Sequence, residues 1–133
     1  MMRRDAIGRM AALLAVGLAP DRRVLALLPK PFEHPEPRPG ITAEHVLAES
    51  KLPKKSSVRA AYDWVRRFPE VCDGIYCVCD CKSMGHRSLL TCFESEQPEG
   101  CGACRELAVL VGNMASKGKT LAEIRVAVDE KFG

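Results

Sequence analysis

Aromatic side chains are scarce in this 133-residue chain, which has one Trp, two Tyr and four Phe, 5% of its residues. A core with so few rings has to be built from Leu, Val, Ile and Ala, a composition that favours helices over strands. Net charge is scarce as well: 20 Lys and Arg face 17 Asp and Glu, a formal charge of +3. That excess is too small and too dispersed for the electrostatic footprint of a nucleic-acid binder, and no basic run alternates with aromatics. Nucleic acid is therefore excluded as a partner. Long apolar runs are missing too, since the stretch at residues 11–19 falls short of the about 20 residues that span a bilayer. Nor is there a glycine-rich phosphate loop or a Ser/His/Asp set, so the chain reads more readily as a binding protein than as an enzyme.

With 47% apolar and 28% charged residues, the chain is an ordinary soluble protein with room for one domain. At its start, Met1-Met2-Arg3-Arg4 precedes the short apolar stretch ending at Ala19. A basic region before a weakly hydrophobic one has the architecture of an export signal, and the paired arginines point to the twin-arginine route. Residues 1–19 are read as a twin-arginine-like export signal or N-terminal anchor, an amphipathic helix packed on the domain being the alternative. The protein is then expected to be exported, periplasmic or at the cell surface, and membrane-tethered where that segment stays uncleaved. Residues 20–40 contain Pro20, Pro29, Pro31, Pro35, Pro37 and Pro39. Each lacks an amide donor and holds its predecessor extended, so this stretch reads as a semi-rigid linker in which His34 is a solvated loop residue.

Residues 41–133 read as a helical, cysteine-rich domain. Thr42 can cap a short helix over 43–50 that leaves His45 exposed, and Ser57 a second over 58–68 that ends before Pro69. Val58, Ala61, Tyr62, Val65 and Phe68 form the inner stripe of that second helix, with Trp64 as flanking cover. A third helix opens at Cys101 and runs to 116 on Leu107, Val111 and Met114, with Gly118 as its stop. Thr120 and Glu123 make a capping box for a fourth, 121–132, facing Leu121, Ile124, Val128 and Phe132 inward. The expected fold is mainly α: a small bundle of three or four helices around an irregular cysteine-rich loop, which has too little apolar periodicity to hold itself together.

That loop is where the sequence is unusual. Six of the seven cysteines, and one of the three histidines, fall within residues 77–104. Thiols gathered so tightly are bridged to one another or hold a soft metal, because as exposed thiols they would be an oxidation liability. In an extended chain Cys77, Cys79 and Cys81 point to one side with sulfurs about 7 Å apart, too far for one tetrahedral ion with metal–sulfur bonds of about 2.3 Å. The segment must bend, or its thiols must serve different partners. A helical turn over 88–93 places His86 and Cys92 on the same side of the loop, and Cys101 and Cys104, at C-x-x-C spacing where a helix begins, can turn towards one point.

The set Cys77, Cys79, Cys81, His86, Cys92, Cys101 and Cys104 suits Cu(I) or Zn(II). It exceeds the four ligands of one zinc, so a metal reading implies two ions, or one ion with the surplus cysteines bridged. The alternative is a framework of two or three disulfides, each contributing about 2 to 4 kcal/mol, in a non-catalytic interaction domain. Against pure stapling stand the odd total, which leaves at least one thiol such as Cys72, and C-x-C pairs that bridge internally with difficulty. Thiol-disulfide redox chemistry comes third, since the C-x-x-C follows no strand. Arg105 after Cys104 excludes the covalent haem motif, and iron–sulfur spacing is unmatched.

Cys77-Val78-Cys79-Asp80-Cys81, then Gly85-His86-Arg87-Ser88-Leu89-Leu90-Thr91-Cys92-Phe93, then Cys101 and Cys104, resembles the bacterial proteins named for a Pro-Cys-Tyr-Cys-Gly-Cys motif. The resemblance covers about residues 58–133, with Tyr76, Val78 and Asp80 standing where the motif has Pro, Tyr and Gly. It implies a small exported, metal-handling module, and since no cysteine follows the N-terminal apolar run, the lipid-anchored form of the family is not implied. The expected function is extracytoplasmic binding of copper or zinc through the Cys/His cluster, as a carrier or buffer. No protein partner is named by the sequence.

Overall fold

A computed structural model describes residues 32–79 and 85–133. The export-signal reading of 1–19, the linker as far as residue 31, and Cys81 lie outside the described residues. Every regular element among those residues is helical, as the shortage of aromatic side chains implies. In chain order the helices are α1 (Ser56–Arg67), α2 (Pro69–Asp73), α3 (Leu89–Phe93), α4 (Gly102–Ser116) and α5 (Leu121–Phe132). None is long and apolar enough to cross a membrane.

The long helices form where the apolar periodicity places them, although α1 starts at Ser56 after Lys55, which makes no side-chain cap bond, and not at the expected Ser57 cap. On α1, Val58, Ala61, Tyr62 and Val65 are buried, the 3.6-residue stripe read from the sequence. They pack along α4, which buries Leu107, Ala108, Val111 and Gly112. Gly112 is required there by space, since a Cβ built on it would lie 2.5 Å from Cδ2 and Cε3 of Trp64. The indole of Trp64 thus seats itself against the α4 backbone instead of merely covering the flank. Gly118, at φ +78°, ends α4 in a conformation that costs glycine nothing. The Thr120/Glu123 capping box then starts α5, whose Ile124 and Val128 are fully buried.

Two local expectations differ. The helix expected over 43–50 is instead two 3₁₀ turns, Ala43–His45 and Glu49–Lys51. Thr42 and His45 close a capping box, but Val46 is extended at φ −80° and ψ 139° and points into the core. Leu47 then gives its N–H to Phe93 O at 3.0 Å, so tertiary burial and a distant acceptor break the local helix. At the other place, Pro69 ends α1 and also opens α2 from its first turn, the position where a missing N–H costs nothing. This extra helix buries Cys72 and Asp73.

Within the described part of the proline-rich stretch, residues 32–38 are docked on the helices. His34, expected in solvent, has a side chain only 6% exposed. It accepts the Tyr76 N–H on Nδ1 at 3.0 Å and donates from Nε2 to Asp129 Oδ1 at 2.8 Å; a backbone N–H can only donate, which fixes the tautomer. Phe32 stacks on Tyr76 at 5.0 Å between ring centroids, and Arg125 donates to Pro35 O at 2.8 Å and Gly74 O at 3.0 Å. Proline prevents helix here, but it leaves carbonyls and intervening side chains able to bind as a strap across α5 and residues 74–76, which lead into Cys77.

Candidate functional site

The sulfur-bearing residues come from three separate pieces of chain. Cys77 and Cys79 lie on the segment that leaves α2, Cys92 on α3, and Cys101 and Cys104 at the start of α4, with Cys101 as its N-cap. Cys77, at 2% exposure, and Cys92 and Cys104, at 0%, are buried. Cys92 Sγ lies 3.0 Å from Cys77 Sγ, and Cys77 Sγ 3.5 Å from Cys104 Sγ. All three sulfurs fall within 4.8 Å of one another, and so do those of Cys79, Cys101 and Cys104. Three thiolates around one ion at about 2.3 Å stand roughly 4 Å apart, so both groups are arranged to coordinate a metal or to form disulfides. Cys79 and Cys101 are joined as a disulfide, while Cys77 belongs to the other group. The chain bends at Val78 and Cys79, and the two thiols of this C-x-C pair, which would share a side in an extended strand, go to different partners. For Cys79 and Cys101 the staple reading has the firmer footing, because the bridge itself is present.

His86 Nδ1 is 3.2 Å from Cys92 Sγ. Two devices place it there: Gly85, at φ +84°, turns the chain, and Ser88 caps α3 by accepting the Thr91 N–H at 3.3 Å. Of the expected ligand set, Cys77, Cys92 and Cys104 converge, Cys79 and Cys101 pair beside them, and Cys104 belongs to both sulfur groups, while His86 meets Cys92 without joining either group. Cys72 is fully buried in the core away from these groups, and burial pushes its thiol well above the ordinary range. The Cys77 thiol is also raised. Its contact with Cys104 raises it most, the Cys92 contact acts the other way, and burial adds to the rise.

What sequence reasoning missed is the support beneath the loop. Asp73 is fully buried and its carboxylate gathers five donations: Arg38 N at 2.8 Å, Arg38 Nε at 3.1 Å, Arg38 Nη2 at 3.0 Å, Arg87 Nη1 at 2.6 Å and Ser88 Oγ at 2.9 Å. Burial pushes this carboxyl up, but the bonds from Arg38, Ser88 and Arg87 outweigh it and bring it down from 3.8 to about 2. Arg87 also donates to Glu36 O at 2.7 Å. Strap, α2 and the His86 loop are thereby tied to one carboxylate. No spacing rule links residues 38, 73 and 87, so nothing in the sequence singled out Asp73.

Residues 41–133 match the model of a family described as "Protein of unknown function with PCYCGC motif". No curated protein and no solved structure matches the chain.

Proposed function

We propose that this chain, which belongs to the PCYCGC-motif family, is a small disulfide-stapled, non-catalytic domain whose buried sulfur trio binds one thiophilic ion, Cu(I) or Zn(II). The observation that carries the metal reading is the meeting of Cys77, Cys92 and Cys104, from three separate elements, within 4.8 Å of one another and out of solvent. A staple needs two sulfurs at a point. Three buried sulfurs make a donor set of the type soft ions favour, and an imidazole nitrogen that meets Cys92 alone of the three is the fourth donor the ion would draw in. His86 supplies that nitrogen, and Cys79–Cys101 anchors the start of α4 to the loop.

The bridge also supports placing the protein outside the cytoplasm, where disulfides persist, with residues 1–19 as its export signal. There the domain would act as a carrier or buffer of the ion. A second reading, a stapled interaction domain with no ion, is favoured by the Cys79–Cys101 bond alone. Metal analysis and thiol counting on protein isolated from its native compartment separate the two. One ion per chain is expected. Protein that contains no ion and takes up neither Cu(I) nor Zn(II) leaves the stapled scaffold as the function.

A further inference from the structure

Cys104 stands in the first turn of α4, three residues after the N-cap Cys101, so both thiols of the C-x-x-C turn to the same end of the helix. Its sulfur lies within 4.8 Å of Cys77 and Cys92 on one side and of Cys79 and Cys101 on the other. A thiolate keeps lone pairs after binding one ion, and can bind a second. The two groups differ in access. Cys77, Cys92 and Cys104 are buried, whereas Cys79 and Cys101 are only half-buried, within reach of a reductant.

We infer that Cys104 is a shared ligand, and that the Cys79–Cys101 bond sets the metal capacity of the domain. With the bond closed, the domain takes one ion in the inner trio. With it open, Cys79, Cys101 and Cys104 take a second, and the Cys104 sulfur joins the two ions. Opening requires an external dithiol: the sulfur–sulfur bond breaks, the dithiol becomes its own disulfide, and its two protons pass to Cys79 and Cys101. Each thiol gives up its proton again on ligating the ion. The inference rests on the inner site proposed above and adds a second, redox-controlled site to it.

The test uses the full chain and ¹¹³Cd(II), a spectroscopic substitute that thiolates bind strongly. Protein with the bond closed is expected to bind one cadmium. After reduction by a dithiol, and its removal without air, it should bind two, with mutually coupled ¹¹³Cd resonances. Reduced Cys79→Ser and Cys101→Ala should each return to one, with helix content by circular dichroism unchanged. One cadmium in both redox states overturns the inference and leaves the inner site standing, as do two resonances without coupling or two cadmium ions in Cys79→Ser. No cadmium in either state removes the inner site and the inference with it.

Discussion

His86 Nδ1 lies 3.2 Å from Cys92 Sγ, at a point where the chain on both sides of the histidine is anchored. The ring is set by the loop around it: Arg87 and Ser88, the next two residues, both bind the buried Asp73 carboxylate, while Gly85 supplies the left-handed turn. A histidine fixed in this way meets a sulfur without having to be ordered first, which lowers the entropy cost of ligation.

Removing the ring should therefore cost affinity more than stability. His86→Ala is expected to weaken Cu(I) or Zn(II) binding by about tenfold or more, with little change in melting temperature, because the lost group is a half-buried edge donor. Competition against a chromophoric chelator measures the first and thermal circular dichroism the second. Unchanged affinity would remove His86 from the ligand set.

Uptake should release protons and weaken as pH falls. The Cys77 thiol is raised above its ordinary range by its contact with Cys104 and by burial, so it is protonated at neutral pH and must lose that proton to bind an ion. Titration of the apo-protein with Zn(II) in two buffers of different ionisation enthalpy counts the protons. Uptake without proton release would mean that these sulfurs are not the ligands.

Asp73 should give the fold an acid limb. Its carboxyl stands at about 2 in the folded chain against an ordinary 3.8, so the unfolded chain binds the proton more readily. The resulting stability, about 2 kcal/mol, is fully present above pH 4 and is lost as pH falls through the folded value near 2. Urea melts between pH 5 and pH 2 should show the loss, and Asp73→Asn should abolish that part of the pH dependence. A variant that keeps the same acid limb would assign it elsewhere.

Gly112→Ala should destabilise by about 1 to 3 kcal/mol, since the new Cβ would lie 2.5 Å from the Trp64 ring. Pairing it with Trp64→Leu, which clears the ring, should recover part of the loss. A double-mutant cycle by chemical denaturation measures the coupling, and strict additivity would place the clash somewhere else.

For the N-terminus, Arg3→Lys with Arg4→Lys should hold a fused reporter in the cytoplasm, because the twin-arginine route depends on that pair. Unaltered export in a fractionation assay would count against this route.

Much of the helical framework was legible because local rules and burial agree along it. The stripe of Val58, Ala61, Tyr62 and Val65 and the Thr120/Glu123 box each speak for one outcome, and the structure has both. The helix expected over 43–50 was misread because Val46 and Leu47 are governed by the core and by Phe93, contacts that no local window contains. His34 was misread for the same reason, its partners Tyr76 and Asp129 lying 42 and 95 residues away.

By itself the sequence determined the mainly helical class and the region of the chemistry, since a low aromatic content and a concentration of thiols are properties of composition and spacing. Only the tertiary structure decided how the sulfurs divide, with Cys77 joining Cys92 and Cys104, and Cys79 joining Cys101. Spacing limits which thiols can meet. Which ones do meet depends on how α2, α3 and the start of α4 pack, and that packing is set by buried surface and by the Asp73 ion pairs between residues distant in the chain.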